Sequence, residues 1–252
     1  MPLRKECDEV EKLLKEIDEL KKQLDEKRPL PPETLQNLKE HLLVEWTYHS
    51  NAIEGNTLTL AETKVVLEDG ITVGGKTMRE HLEAINHKEA ILYLEEVIRR
   101  GEQLTQHTIK TIHSLILRGI DRQNAGTYRK TNVVISGAEH RPPDPVMVQE
   151  QMDDLMVWYE DNDHHPVLRA AILHSAFVKI HPFMDGNGRT ARLLLNLELM
   201  RSGYVPIVIH NHERLAYYRA LDQSHTTGDH SDFVEIVGSN LKEALQFYLE
   251  FA

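Results

Sequence analysis

Cysteine is nearly absent from this 252-residue chain: Cys7 is the only one. It cannot close an internal disulfide, which points to a reducing compartment. No run of about 18 apolar residues occurs, so the sequence predicts no membrane span. The first twenty residues, MPLRKECDEVEKLLKEIDEL, lack the apolar stretch that a secretory signal requires. Together these absences predict a cytoplasmic protein. Positive charge is also in short supply. Lys and Arg number 29 against 40 Asp and Glu, a net charge of −11. That argues against a nucleic-acid partner, which demands a broad basic face. A local basic pocket remains compatible with it. No internal repeat and no low-complexity tract is present.

What the chain does contain is helical periodicity. Val10, Leu13, Ile17, Leu20 and Leu24 alternate spacings of three and four, the pattern of an apolar helix seam. A helix over 3–28 is expected, packed as a hairpin on the next one. The prolines of RPLPPE, residues 28–33, break it. This is the strongest boundary in the chain, and it divides a helical segment 1–32 from a main domain 33–252. A second helix should run from about 33 to 53 and stop at Gly55-Asn56. Thr59 with Glu62 and Thr77 with Glu80 read as capping boxes opening helices over 59–69 and 77–100. Thr105 should cap a helix ending near 118. Further helices are expected at about 146–162, 166–180, 187–202, 213–224 and 230–250. Between 125 and 145 the pattern changes. Val133, Val134 and Ile135 are strand formers, Ser136-Gly137 is a turn signal, and Pro142-Pro143 close the segment. A small β-hairpin is expected there, so the fold class is all-α with one β-hairpin. Trp46 and Trp158 read as core residues.

One stretch carries the chemistry: HPFMDGNGRTAR, residues 181–192. Pro182 disfavours helical backbone at His181, so the helix over 166–180 must stop there. The next helix starts near Asn187, with free N–H groups and a positive dipole end. Gly186 and Gly188 let an anion approach that backbone closely. Arg189 and Arg192 lie three apart, on one side of the first turn. The combination describes a phosphate cradle. Asp185 beside it is the residue type that holds Mg²⁺ together with phosphate oxygens. His181 is a proton acceptor near neutral pH. The fifteen histidines also raise zinc chemistry, but His164-His165 and His210-x-His212 lack convincing ligand spacing.

The same string resembles the signature of the Fic family, His-x-Phe-x-Asp/Glu-Gly-Asn-Gly-Arg-x-x-Arg. His181, Phe183, Asp185, Gly186, Asn187, Gly188, Arg189 and Arg192 fill every position. REHLEAINHKEAI, AGTYRKTNVVISG and NHERLAYYRAL look like other Fic segments, so the resemblance runs over roughly residues 35–250. It implies a mainly helical Fic fold and transfer of AMP from ATP to a protein hydroxyl, on a target or on the protein itself. His181 would act as base. Asp185 would hold Mg²⁺. Asn187 and the Gly186–Gly188 backbone would bind anionic oxygens, and Arg189 and Arg192 the outer phosphates. Phe183 would anchor the loop in the core. Gly188 fits adenylyl transfer, because a lysine there marks relatives that transfer phosphate. The hairpin with Val133, Val134, Ile135, Ser136 and Gly137 would be the flap on which a target segment docks. Tyr217 and Tyr218 would flank the adenine, unless one of them belongs to the core.

SNAIEGN, residues 50–56, resembles the family's inhibitory motif, with Ser50 and Glu54 at its marked positions. It would place an inhibitory helix near 40–56 in the same polypeptide, with Glu54 paired to Arg192 where a phosphate belongs. Relatives often assemble into homo-oligomers, and the same is expected here. Two other readings stay open: Glu54 could position a water that removes AMP, or the site could be idle in an interaction protein.

Overall fold

The computed structural model describes the backbone of residues 2–252 and the side chains from residue 9 onward; the Cys7 side chain falls outside that range. Ten α-helices make up the described chain. They are α1 (Pro2–Glu26), α2 (Pro32–Ile53), α3 (Leu60–Glu68), α4 (Met78–Arg99), α5 (Gln106–Ile116), α6 (Val148–Glu160), α7 (Pro166–Ile180), α8 (Asn187–Arg201), α9 (Arg214–Thr227) and α10 (Ser231–Glu250). Single 3₁₀ turns at Pro145–Met147 and Asn211–Glu213 lead into α6 and α9.

Local chemistry fixes most boundaries. Thr59 and Thr77 each accept a hydrogen bond from the N–H three residues on, and the Glu62 and Glu80 carboxylates each accept one from the cap residue's own N–H. Both capping boxes therefore form, satisfying N–H groups that a helix start leaves free. Thr105 caps α5 by accepting from the Thr108 N–H. Prolines stand in the first turns of α2 and α7, where a missing N–H costs nothing.

Helices α7 and α8 form the centre. From Asn187 to Leu199 every residue of α8 except Gly188 is buried, and α7 packs against it. Helices α4 and α5 pack on α8, while α9 and α10 pack on α7. A buried helix cannot be amphipathic, so the polar residues of α8 must each find a partner or a function.

Two expectations need correction. The seam of α1 packs on α10, not on α2. Ile17 and Leu24 are fully buried there and join the main core. The approach is close: a Cβ added to Gly238 would lie 2.6 Å from Leu13 Cδ2. Periodicity shows that a helix has an apolar face, but not which distant helix will cover it. The second correction concerns 133–141, where no strand pairing forms. The segment is irregular, with one turn in which the Ala138 N–H donates to Ile135 O at 3.3 Å. Val134 is 89% exposed. An isolated two-stranded ribbon has little to stabilise it without an apolar face to bury, and here Val133 and Ile135 are only partly buried.

Candidate functional site

The loop between α7 and α8 is built by its own sequence. His181 ends α7 in left-handed backbone, φ 50°, a conformation that costs a side chain of this size about 1–3 kcal/mol. Phe183 is fully buried and stacks face to face on His113, with ring centroids 3.5 Å apart. The Gly126 N–H donates to His113 Nδ1 at 2.9 Å. Nε2 therefore carries the proton, and it donates to the Asp185 carbonyl at 2.8 Å. Gly186 has φ 76°, and a Cβ there would crowd His113 Nε2 at 3.3 Å. Asn187 turns its carboxamide on Phe183. Its Oδ1 accepts from the Phe183 N–H, and its Nδ2 donates to the Phe183 carbonyl, both at 2.9 Å. The side chain expected on the anion thus shapes the loop as well, with one N–H of its Nδ2 group remaining.

The arginines of α8 have different surroundings. Arg189 is 2% exposed. It lies 3.4 Å from both Glu83 and Asp185, yet its Nε and Nη1 have no hydrogen-bond partner. Nη1 still faces the Glu83 carboxylate as an ion pair; buried guanidinium donors without a hydrogen-bond acceptor are rare and call for a water or an anion. Arg192 is fully engaged. Its Nε donates to Ser50 Oγ at 3.0 Å, its Nη2 to Ser50 O at 2.8 Å and to Glu54 Oε1 at 2.7 Å, and its Nη1 to Tyr217 OH at 3.3 Å. Ser50 and Glu54 sit one turn apart at the end of α2, so α2 reaches Arg192 through two of its residues. Gly188 makes room for this. A Cβ there would collide with Glu54 Oε1 and lie 3.1 Å from Arg192 Nη1.

His181, Glu54, Gly188, Tyr217, Tyr218, Ile135, Ser136 and Gly137 line one cavity of about 610 Å³, a volume within the range of small-ligand sites. Burial drives the His181 pKa down to about 4, against an opposing pull from the Val178 backbone. The imidazole is neutral at pH 7 and able to accept a proton. Tyr217 is 1% exposed and packs on His174 and Phe233, with its hydroxyl on Arg192 and on His174 Nε2 at 3.0 Å. It belongs to the core and offers no face to a base. Tyr218, 38% exposed, remains available. Val133 and Val134 do not line the cavity, whereas Ile135, Ser136 and Gly137 do.

Asp185 accepts from the Gly186 N–H at 2.6 Å and from Arg79 Nη2 at 2.6 Å. Burial opposes its charge, but Arg189, the Gly186 N–H and Arg79 outweigh burial and hold the carboxyl below its usual range. Among the described residues no group of three His, Cys, Asp or Glu could hold a metal ion unaided. A single ionised carboxylate, 45% exposed and beside Arg189, fits Mg²⁺ when phosphate oxygens and water supply the other ligands. Sequence reasoning missed Arg79, Glu83, His113 and Arg129. The first three are unremarkable helix residues, and only the fold brings them to the loop.

Comparison with known proteins agrees with this geometry. The Fic/DOC family profile matches residues 103–199. The chain is 40% identical over 206 residues to "Protein adenylyltransferase Fic" of Nematostella vectensis, covering 80% of this chain and 48% of that protein. It is 38% identical over 209 residues to "Protein adenylyltransferase fic-1" of Caenorhabditis elegans, covering 81% and 41%. The chain thus spans about half the length of the curated relatives it matches. A solved structure of C. elegans Fic-1 superposes with a TM-score of 0.87 at 34% identity, covering 99% of this chain and 74% of that one. A Fic domain protein of Bacteroides thetaiotaomicron superposes at 0.82 with 30% identity, covering 96% of both chains. With its signature at the α7–α8 junction and its whole described length following that fold, the chain belongs to the Fic family.

Proposed function

We propose that this protein transfers AMP from ATP to a Ser, Thr or Tyr hydroxyl of a target protein, and to itself, and that Glu54 restrains the reaction. The carrying observation is Arg189, buried at the start of α8 with Nε lacking an acceptor and Nη1 held only by an ion pair to Glu83, one turn from an arginine that a carboxylate already occupies. The relatives' printed names, Protein adenylyltransferase, support the same chemistry.

Each residue then has a task. The Gly186–Gly188 backbone and Arg189 receive phosphate oxygens at the positive end of α8. Arg192 meets the outer phosphates once Glu54 leaves, and Ser50 keeps its guanidinium in place. Tyr218 lies against the adenine. Mg²⁺ held by Asp185 neutralises phosphate charge when bound. The flap 133–137 receives an extended target segment, its backbone groups being free of any ladder of their own. Neutral His181 takes the proton of the attacking hydroxyl. The hydroxyl oxygen bonds to the α-phosphorus, the bond to the bridging β-oxygen breaks, and pyrophosphate departs with that electron pair. Positioning and charge neutralisation supply most of the acceleration. The protein acts as a homo-oligomer in the cytoplasm.

The test compares wild type, Glu54→Gly and Glu54→Gly/His181→Ala after incubation with ATP and Mg²⁺. Intact-mass spectrometry should show additions of about 329 Da, one adenylyl group each, on Glu54→Gly alone. An unmodified Glu54→Gly protein that also fails to bind ATP rejects the function.

A further inference from the structure

Arg129 stands in the irregular stretch between α5 and α6, where nothing in the local sequence singles it out. It is 3% exposed. Its guanidinium donates to four backbone carbonyls. Two of them flank the flap: Thr131 O at 3.1 Å and Pro143 O at 2.6 Å. The other two belong to the end of α7: His181 O at 2.8 Å and Ile180 O at 3.4 Å. The Arg129 N–H adds a bond to Pro182 O at 2.8 Å. One rigid planar fork therefore joins both feet of the segment 131–143 to the peptide that carries the imidazole.

We propose that Arg129 is a positioning residue, locking the flap to the backbone of His181 so that a hydroxyl docked on the flap arrives in register with the base. This rests on the function proposed above. Two features speak for more than support of the fold. His181 holds a strained left-handed backbone, which persists only when its neighbours over-determine it, and Arg129 binds the carbonyl of that residue directly. The flap's far end is secured separately. Asp222 of α9 accepts from the Glu139 N–H at 3.1 Å and the His140 N–H at 3.0 Å. His140 Nε2 meets Lys179 O at 2.9 Å and Thr131 Oγ1 meets Met184 Sδ at 3.3 Å, so Arg129 is one of several ties, and the one that reaches the carbonyl of His181 itself. A lysine cannot replace it, because a compact ammonium does not reach four carbonyls in one plane.

Burial does most to lower the His181 pKa, and the neighbouring groups that bear on its charge are the Val178 backbone, Arg129, Glu54 and His140. Arg129 and His140 disfavour a protonated imidazole; Glu54 favours one. The positive charge of Arg129 thereby helps keep the base neutral.

The test uses full-length Glu54→Gly as parent, with Arg129→Lys and Arg129→Met added singly. ATP affinity is measured by calorimetry, self-adenylylation at saturating ATP by intact mass, and its pH profile between 4 and 8. Arg129 lines neither the cavity with Glu54 and Tyr218 nor the one with Asp185 and Arg189, so both variants should bind ATP within about twofold of the parent. Both should label themselves at least about tenfold more slowly, since an ångström of misplacement costs up to about a hundredfold. Loss of the positive charge in Arg129→Met should move the acid limb of the profile to higher pH, while Arg129→Lys leaves it in place. Variants that label at the parent rate overturn the proposal. So do variants that lose ATP binding in parallel with rate, since Arg129 would then only support the fold. A parent that binds no ATP rejects the functional reading instead.

Discussion

Replacing Glu54 by glycine should tighten ATP binding about 10- to 30-fold, and the estimate follows from the contact. Glu54 Oε1 accepts from Arg192 Nη2 at 2.7 Å, with the arginine side chain 4% exposed and the glutamate 33%. A hydrogen bond between charged groups contributes about 1.5–3 kcal/mol. Solvent screening of the partly exposed carboxylate puts it near the lower end, about 1.5–2 kcal/mol. A triphosphate must displace this contact before it reaches Arg192. At 1.4 kcal/mol per tenfold, that difference corresponds to the stated range. Arg192 should stay in place after the change, because Ser50 and Tyr217 still hold it. Glu54→Gln keeps the size and drops the charge, so its affinity should fall between wild type and Glu54→Gly. Calorimetry with ATP and Mg²⁺ on the three proteins measures this. Glu54→Gly and wild-type affinities within twofold of each other would refute the reasoning.

Further outcomes are expected. Adding His181→Ala to Glu54→Gly should leave ATP affinity unchanged and lower the transfer rate by about 10²–10⁴-fold, the usual contribution of a general base; radiolabelled ATP reads this. Gly188→Ala should break the Glu54–Arg192 pair without activating the enzyme, because its methyl group fills the space an incoming phosphate needs; calorimetry should find ATP affinity no higher than wild type. Burial lowers the pKa of His49, His113, His181 and His225 to about 4 each, against about 6.5 in the unfolded chain. The unfolded state therefore binds more protons between those values, and stability must fall as pH drops from about 6.5 toward 4. Thermal denaturation across that window should show the midpoint declining.

Local rules carried the sequence reading a long way. The two capping boxes, the stop that Pro182 imposes on α7, and the glycines at the start of α8 all act within a few residues, and all are visible in the string. Phe183 is buried where the signature implied a core anchor. What escaped depends on distance along the chain. Leu13 and Gly238 pack together across more than two hundred residues, and periodicity in α1 could not say so. Arg129 looks like any loop arginine until four carbonyls converge on it. Asn187 has the right type for an anion ligand, yet the tight loop claims most of its carboxamide. The flap failed as a hairpin for an energetic reason: strand-forming residues pair only where pairing buries something.

Gly188 has one further consequence. The volume left by its absent side chain holds the Glu54 carboxylate, and on the proposed function an incoming phosphate would need the same space. Carboxylate and nucleotide are thus rivals for one berth, and the restraint is relative, not absolute. On the function proposed above, raising ATP should weaken the restraint, so any labelling of the wild-type protein should grow with nucleotide concentration.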